Sequence, residues 1–182
     1  MSGCTCLWLM FPVLPLAIAC GDPAPPPAEA GAIVNVGASP GGGACTVGAG
    51  VSKFGTPPTT TDPGVTLVSG HDGVRINCSV SDAGDGTLRF NGSIETSSAS
   101  LSIGGTVTPG ATGTASLSLY DSATSTIDLN DPACTVSLDQ GMLSAEPGAI
   151  WASFRCSSLK NPTTIGLLCG ANGVFLFKSC AE

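Results

Sequence analysis

Residues 74–81, Val-Arg-Ile-Asn-Cys-Ser-Val-Ser, and 88–95, Leu-Arg-Phe-Asn-Gly-Ser-Ile-Glu, decide the fold class of this chain. In the first stretch Val74, Ile76, Cys78 and Val80 alternate with Arg75, Asn77, Ser79 and Ser81; in the second Leu88, Phe90 and Ile94 alternate with Arg89, Asn91, Ser93 and Glu95. A period of two sends successive side chains to opposite faces of an extended backbone. Each stretch therefore reads as a strand with one face in a core and one in water, the habit of antiparallel sheet. The residues between them, Asp82-Ala83-Gly84-Asp85-Gly86, are turn formers and read as a hairpin connection.

The same alternation runs outward along the chain. It recurs in Leu101 and Ile103, in Ala115, Leu117 and Leu119, in Cys134, Val136 and Leu138, and in Ile150, Ala152, Phe154 and Cys156, each set interleaved mostly with polar residues. Val174-Phe175-Leu176-Phe177 is apolar on both faces and reads as a central strand. Pro109-Gly110 and Asp131-Pro132 read as turns, and Gly104-Gly105 as a bulge or bend. No segment shows a sustained helical period. Strands of this length and spacing predict an all-β domain over 32–182, an antiparallel β-sandwich of about eight strands.

Composition narrows the function. The chain has 182 residues, of which 42% are hydrophobic, so it can bury a core. Six basic residues against 13 acidic ones leave a net charge of −7. That balance offers no basic footprint for nucleic acid and no polybasic patch for anionic lipid heads.

Residues 1–19 contain no charged side chain, and the apolar run from Leu7 to Ala19 has the length of a signal-peptide core, short of a membrane span. Leu16-Ala17-Ile18-Ala19-Cys20 resembles a bacterial lipobox. The resemblance implies cleavage before Cys20, lipid on its thiol and amine, and a chain held at the membrane by that anchor; plain secretion is the alternative. Two or more acyl chains give stable anchoring. Gly21 rather than Asp follows the cysteine, which by the same resemblance points to the outer membrane of a diderm bacterium. Residues 20–31 then form the lipidated cysteine and a tether, with Pro23, Pro25, Pro26 and Pro27 favouring an extended chain of up to about 34 Å.

With Cys4 and Cys6 assigned to the leader and Cys20 to lipid, six cysteines remain: Cys45, Cys78, Cys134, Cys156, Cys169 and Cys180. An even number in an exported chain predicts three disulfides. The single pairing favoured by the strand pattern is Cys156 with Cys169, across the loop between the last two strand runs.

Chemistry-bearing motifs are sparse. His71-Asp72 lies in a turn pattern and no GxSxG elbow accompanies it. No CxxC pair or second histidine completes a metal set, and no glycine-rich phosphate loop is present. No catalytic residue, metal or cofactor is expected. Trp151 falls on the polar side of its strand, beside Ser153 and Arg155, and is the candidate binding residue, since an exposed indole stacks on a sugar or anchors a partner.

The stretch from Val74 to Glu182 is similar to a recurring type of cysteine-rich β-sandwich lipoprotein of myxobacteria and related diderms. The likeness is carried by the Ser/Thr/Gly-rich strands, by Ile150-Trp151-Ala152-Ser153-Phe154-Arg155-Cys156, and by the aromatic last strand ending at Cys180. It implies fold and location and no activity. The expectation is a non-enzymatic envelope module, with an envelope protein or a glycan as partner; a carbohydrate-binding module or secreted hydrolase is the alternative.

Overall fold

The computed structural model describes residues 24–39, 45, 49–58, 64–122, 125–138, 144–160 and 168–182. The expected leader at 1–19 and Cys20, the expected lipid site, lie outside the described residues. Among the described residues eleven strands form: β1 (Glu29–Ala38), β2 (Gly50–Phe54), β3 (Leu67–Val68), β4 (Arg75–Gly84), β5 (Thr87–Glu95), β6 (Ala99–Val107), β7 (Gly113–Asp121), β8 (Ser125–Ser137), β9 (Ser144–Glu146), β10 (Ala149–Lys160) and β11 (Leu168–Lys178).

All of them belong to one antiparallel sheet, ordered β2-β1-β11-β10-β8-β7-β6-β5-β4, with β3 added beside β1 and β9 beside β10. The expected sandwich of about eight strands is thus corrected to a single curled sheet of eleven, a half-barrel. The alternating runs are the expected strands, and Val174–Phe177 lies in β11, flanked by β1 and β10. Besides β1, which is ten residues long, three short strands lie outside those runs: β2, β3 and β9, of five, two and three residues. They are too short to show a period, and pairing to a longer neighbour creates them.

The curl follows from the core. Phe90 of β5 packs 5.6 Å, centroid to centroid, from Phe175 of β11, which also meets Phe154 at 6.2 Å and Phe177 at 5.9 Å. Strands β5 and β11 stand far apart in the sheet order, so these rings touch only if the sheet rolls over on itself. Burying each large apolar side chain contributes roughly 1.5–3 kcal/mol, and a flat sheet would leave this face wet. Bulges in β4, β8 and β10 provide local bending.

Two turn readings are refined. The hairpin after β4 forms as expected, with Asp85 and its flanking glycines at positive φ and Asp82 Oδ1 accepting from Gly84 N at 2.7 Å. Asp131-Pro132, read as a turn, is instead a bulge inside β8, where Ala115 pairs with Cys134 but Leu117 with Asp131. Gly104-Gly105, read as a bulge or bend, pairs in unbroken register on both sides.

Glycine is needed where strands approach closely. A Cβ on Gly173 would land on the Ile33 carbonyl oxygen of β1. Gly173→Ala is therefore expected to lower stability by about 3 kcal/mol, the upper part of the usual overpacking range. A urea midpoint within error of the parent would refute this.

The open edge of β4 is covered by the chain itself. Ser69 Oγ bonds both N–H and C=O of Ile76, at 3.2 and 3.3 Å. Ala181 N donates to Cys78 O at 3.0 Å, Val80 N to Ala181 O at 2.8 Å, and Gly148 N to Val80 O at 2.9 Å. Exposed edges invite pairing with other chains; here the C-terminal tail occupies that place.

The six cysteines are joined as Cys45–Cys169, Cys78–Cys180 and Cys134–Cys156. The favoured Cys156–Cys169 link is overturned. Continuing the pairing of Phe154 with Val136 and Arg155 with Thr135 sets Cys156 opposite Cys134 on the adjacent strand, and that proximity decides its partner. Cys169 stands opposite Ala38 at the end of β1 and takes Cys45 from the segment that follows.

Candidate functional site

The outward face of β1, β11, β10 and β8 carries an open groove of about 530 Å³. Strand register builds it in rows. Asn35 pairs with Asn172, Asn172 with Arg155, and Arg155 with Thr135. One row further, Ile33 pairs with Val174, Val174 with Ser153, and Ser153 with Ser137. Thr112, just before β7, closes one side. A smaller hollow of about 200 Å³ adjoins it, floored by Gly37 and Gly170 and sharing Arg155 and Asn172.

The polar groups are arrayed on the framework they decorate. Thr135 Oγ1 donates to Arg155 O and Ser153 Oγ to Ser137 O, both at 3.3 Å. Asn35 Nδ2 donates to Asn172 O at 3.4 Å. The groove thus presents hydroxyls, amides and one guanidinium, with Ile33 and Val174 as apolar contacts. Its described lining contains no Asp or Glu, so the paired carboxylates that glycoside hydrolysis uses are not assembled there.

Trp151 lies one row beyond the groove, between Leu176 on β11 and Ser144 on β9. It is half-buried, and its indole Nε1–H is buried with no hydrogen-bond partner. Its aromatic face is not among the groove's lining residues. The structure therefore places Arg155, four positions on in the same strand, at the cavity, and Trp151 at its margin.

Asp131, Cys134 and Cys156 bring three potential ligand atoms within 4.8 Å of one another, all buried. Both sulfurs are spent in the disulfide. The Asp131 carboxylate instead joins two bulges, with Oδ1 accepting from Ala133 N at 2.9 Å and Oδ2 from Ser158 N at 3.0 Å. This cluster is a structural joint. His71 and Asp72 sit exposed in the turn before β4.

Sequence reasoning singled out the segment Ile150–Cys156 but chose its indole. Alternation alone sets Arg155 outward; its neighbours Asn172, Asn35 and Thr135 come from distant segments, and only register unites them. No family model, curated protein or solved structure matches the chain.

Proposed function

We propose that this chain is an exported lipoprotein of a diderm envelope, anchored through lipid on Cys20, whose β domain is a binding module rather than an enzyme. The observation that carries the reading is the pairing of all six cysteines from Cys45 to Cys180 in three disulfides. Such bonds persist in oxidising, extracytoplasmic compartments. They agree with the apolar leader and with the lipobox-like residues at 16–20. The exposed Ala24–Pro27 stretch, which precedes β1 without regular structure, serves in this reading as the spacer between lipid and domain. The groove around Arg155 supplies a surface suited to a polar partner, and its hydroxyls and amides favour a glycan as the second, more specific form of the same proposal.

The test is Cys20→Ala in cells. The parent chain is expected in the membrane fraction and in the detergent phase on partitioning, and the variant as unprocessed precursor. Normal processing and release of the variant would overturn the lipid anchor in favour of plain secretion.

A further inference from the structure

The row that floors the Arg155 groove does not stop at β8. Thr135 pairs with Thr114 of β7, Thr114 with Thr106 of β6, and Thr106 with Arg89 of β5. The sequence Asn172-Arg155-Thr135-Thr114-Thr106-Arg89 is therefore one line of outward side chains running across six neighbouring strands. Arg89 stands in a second open groove of about 500 Å³, with Asn91 and Thr106 among its walls. At the usual strand spacing the two arginines lie about 19 Å apart along the face, four strands from one another.

Three features of this line bear on what it holds. First, it has a cation at two places and no carboxylate in the row or in the described lining of either groove. The one ion pair among the described residues, Arg75 with Glu95, lies elsewhere on the same face. On a chain of net charge −7, two guanidiniums thus stand with no counter-charge beside them among the described lining residues. Second, the three residues between them are all threonines, whose hydroxyls both donate and accept, as sugar hydroxyls do. Third, the line crosses the strands at right angles, one residue per strand, so an occupant that follows it is a linear chain with a short, regular repeat. No aromatic side chain lies in the row for a base to stack on, which disfavours a single-stranded nucleic acid.

We infer that this cross-strand line is a binding track for a linear, carboxylate-bearing polysaccharide, with Arg155 and Arg89 each gripping a carboxylate and the threonines meeting the sugar hydroxyls between. A guanidinium fork matches a carboxylate with two parallel hydrogen bonds. The inference deepens the reading of the domain as a binding module and is independent of how the chain is anchored.

The test uses the whole chain, oxidised and in detergent, titrated with oligogalacturonates of increasing length. Affinity is expected to rise once an oligomer is long enough to reach from Arg155 to Arg89, because the second contact becomes intramolecular. Arg155→Gln and Arg89→Gln should each weaken the long oligomer by about tenfold, and the double variant should lose the length dependence. Lys178→Gln, three rows away on β11, should bind as the parent does. Methyl-esterified oligomers, which keep the sugar and lose the charge, should bind weakly.

Equal affinity for the esterified oligomer, an equal loss in Lys178→Gln, or unchanged binding in both arginine variants would overturn the inference. So would tighter binding of a single-stranded oligonucleotide, or no binding of the parent at all. Each of these leaves the anchoring result with Cys20→Ala untouched.

Discussion

Replacing both Cys78 and Cys180 by serine is expected to lower the stability of the oxidised domain by about 4 kcal/mol, the largest effect of any change considered. The two residues are 102 positions apart, and closing so long a loop removes more entropy from the unfolded chain than closing a short one. For a chain of this size the melting temperature should fall by about 8–16 °C. Changing both residues avoids leaving a free thiol to exchange. A second consequence follows from position. Ala181, next to Cys180, covers the edge of β4 through its bonds to Cys78 and Val80. Without the staple that tail is held only by those bonds and by the one from the position-180 N–H to Gly148 O, and the β4 edge becomes more available for pairing with another chain. The variant should therefore also form concentration-dependent oligomers by size-exclusion chromatography. An unchanged melting temperature would show that the staple contributes nothing to the folded state.

Asp131→Ala is expected to lower stability by about 3 kcal/mol. Asp131 is 1% exposed, and its two carboxylate oxygens satisfy the N–H groups of Ala133 in β8 and Ser158 in β10. Hydrogen bonds to a charged group contribute roughly 1.5–3 kcal/mol each, and a buried N–H left without a partner costs about 1–3 kcal/mol. Both N–H groups belong to bulges, where the sheet ladder does not supply a replacement. The Cys134–Cys156 disulfide holds the two strands together in the variant, so the loss should appear as a lower urea midpoint and as faster amide exchange at Ala133 and Ser158, with the fold retained. A midpoint within about 0.5 kcal/mol of the parent, the ordinary size of a neutral surface change, would refute the role assigned to this carboxylate.

Side-chain alternation and cysteine parity carried the local part of the fold. The period of two in Val74–Ser81, Leu88–Glu95 and Ile150–Cys156 follows from backbone geometry alone, so it identifies strands and says which side chains share a face. The even set of six cysteines from Cys45 to Cys180 implied three disulfides before any partner was known. Both properties are local or are simple counts, and the amino-acid order by itself determines them. Which strands lie side by side is a different matter, since many pairings bury the same apolar faces. Cys156 shows this: only twelve residues separate it from Cys169, yet it bonds Cys134 because β10 runs beside β8. Asp131-Pro132 looks like a turn until the bulge of β10 arrives to receive its carboxylate. The row from Asn172 to Arg89 draws one residue from each of six strands, and no spacing in the chain announces it. Long-range pairing, driven by the need to roll Phe90 onto Phe175, sets that register, and so only the tertiary structure decided the disulfide partners, the single curled sheet and the line of groups on its outer face.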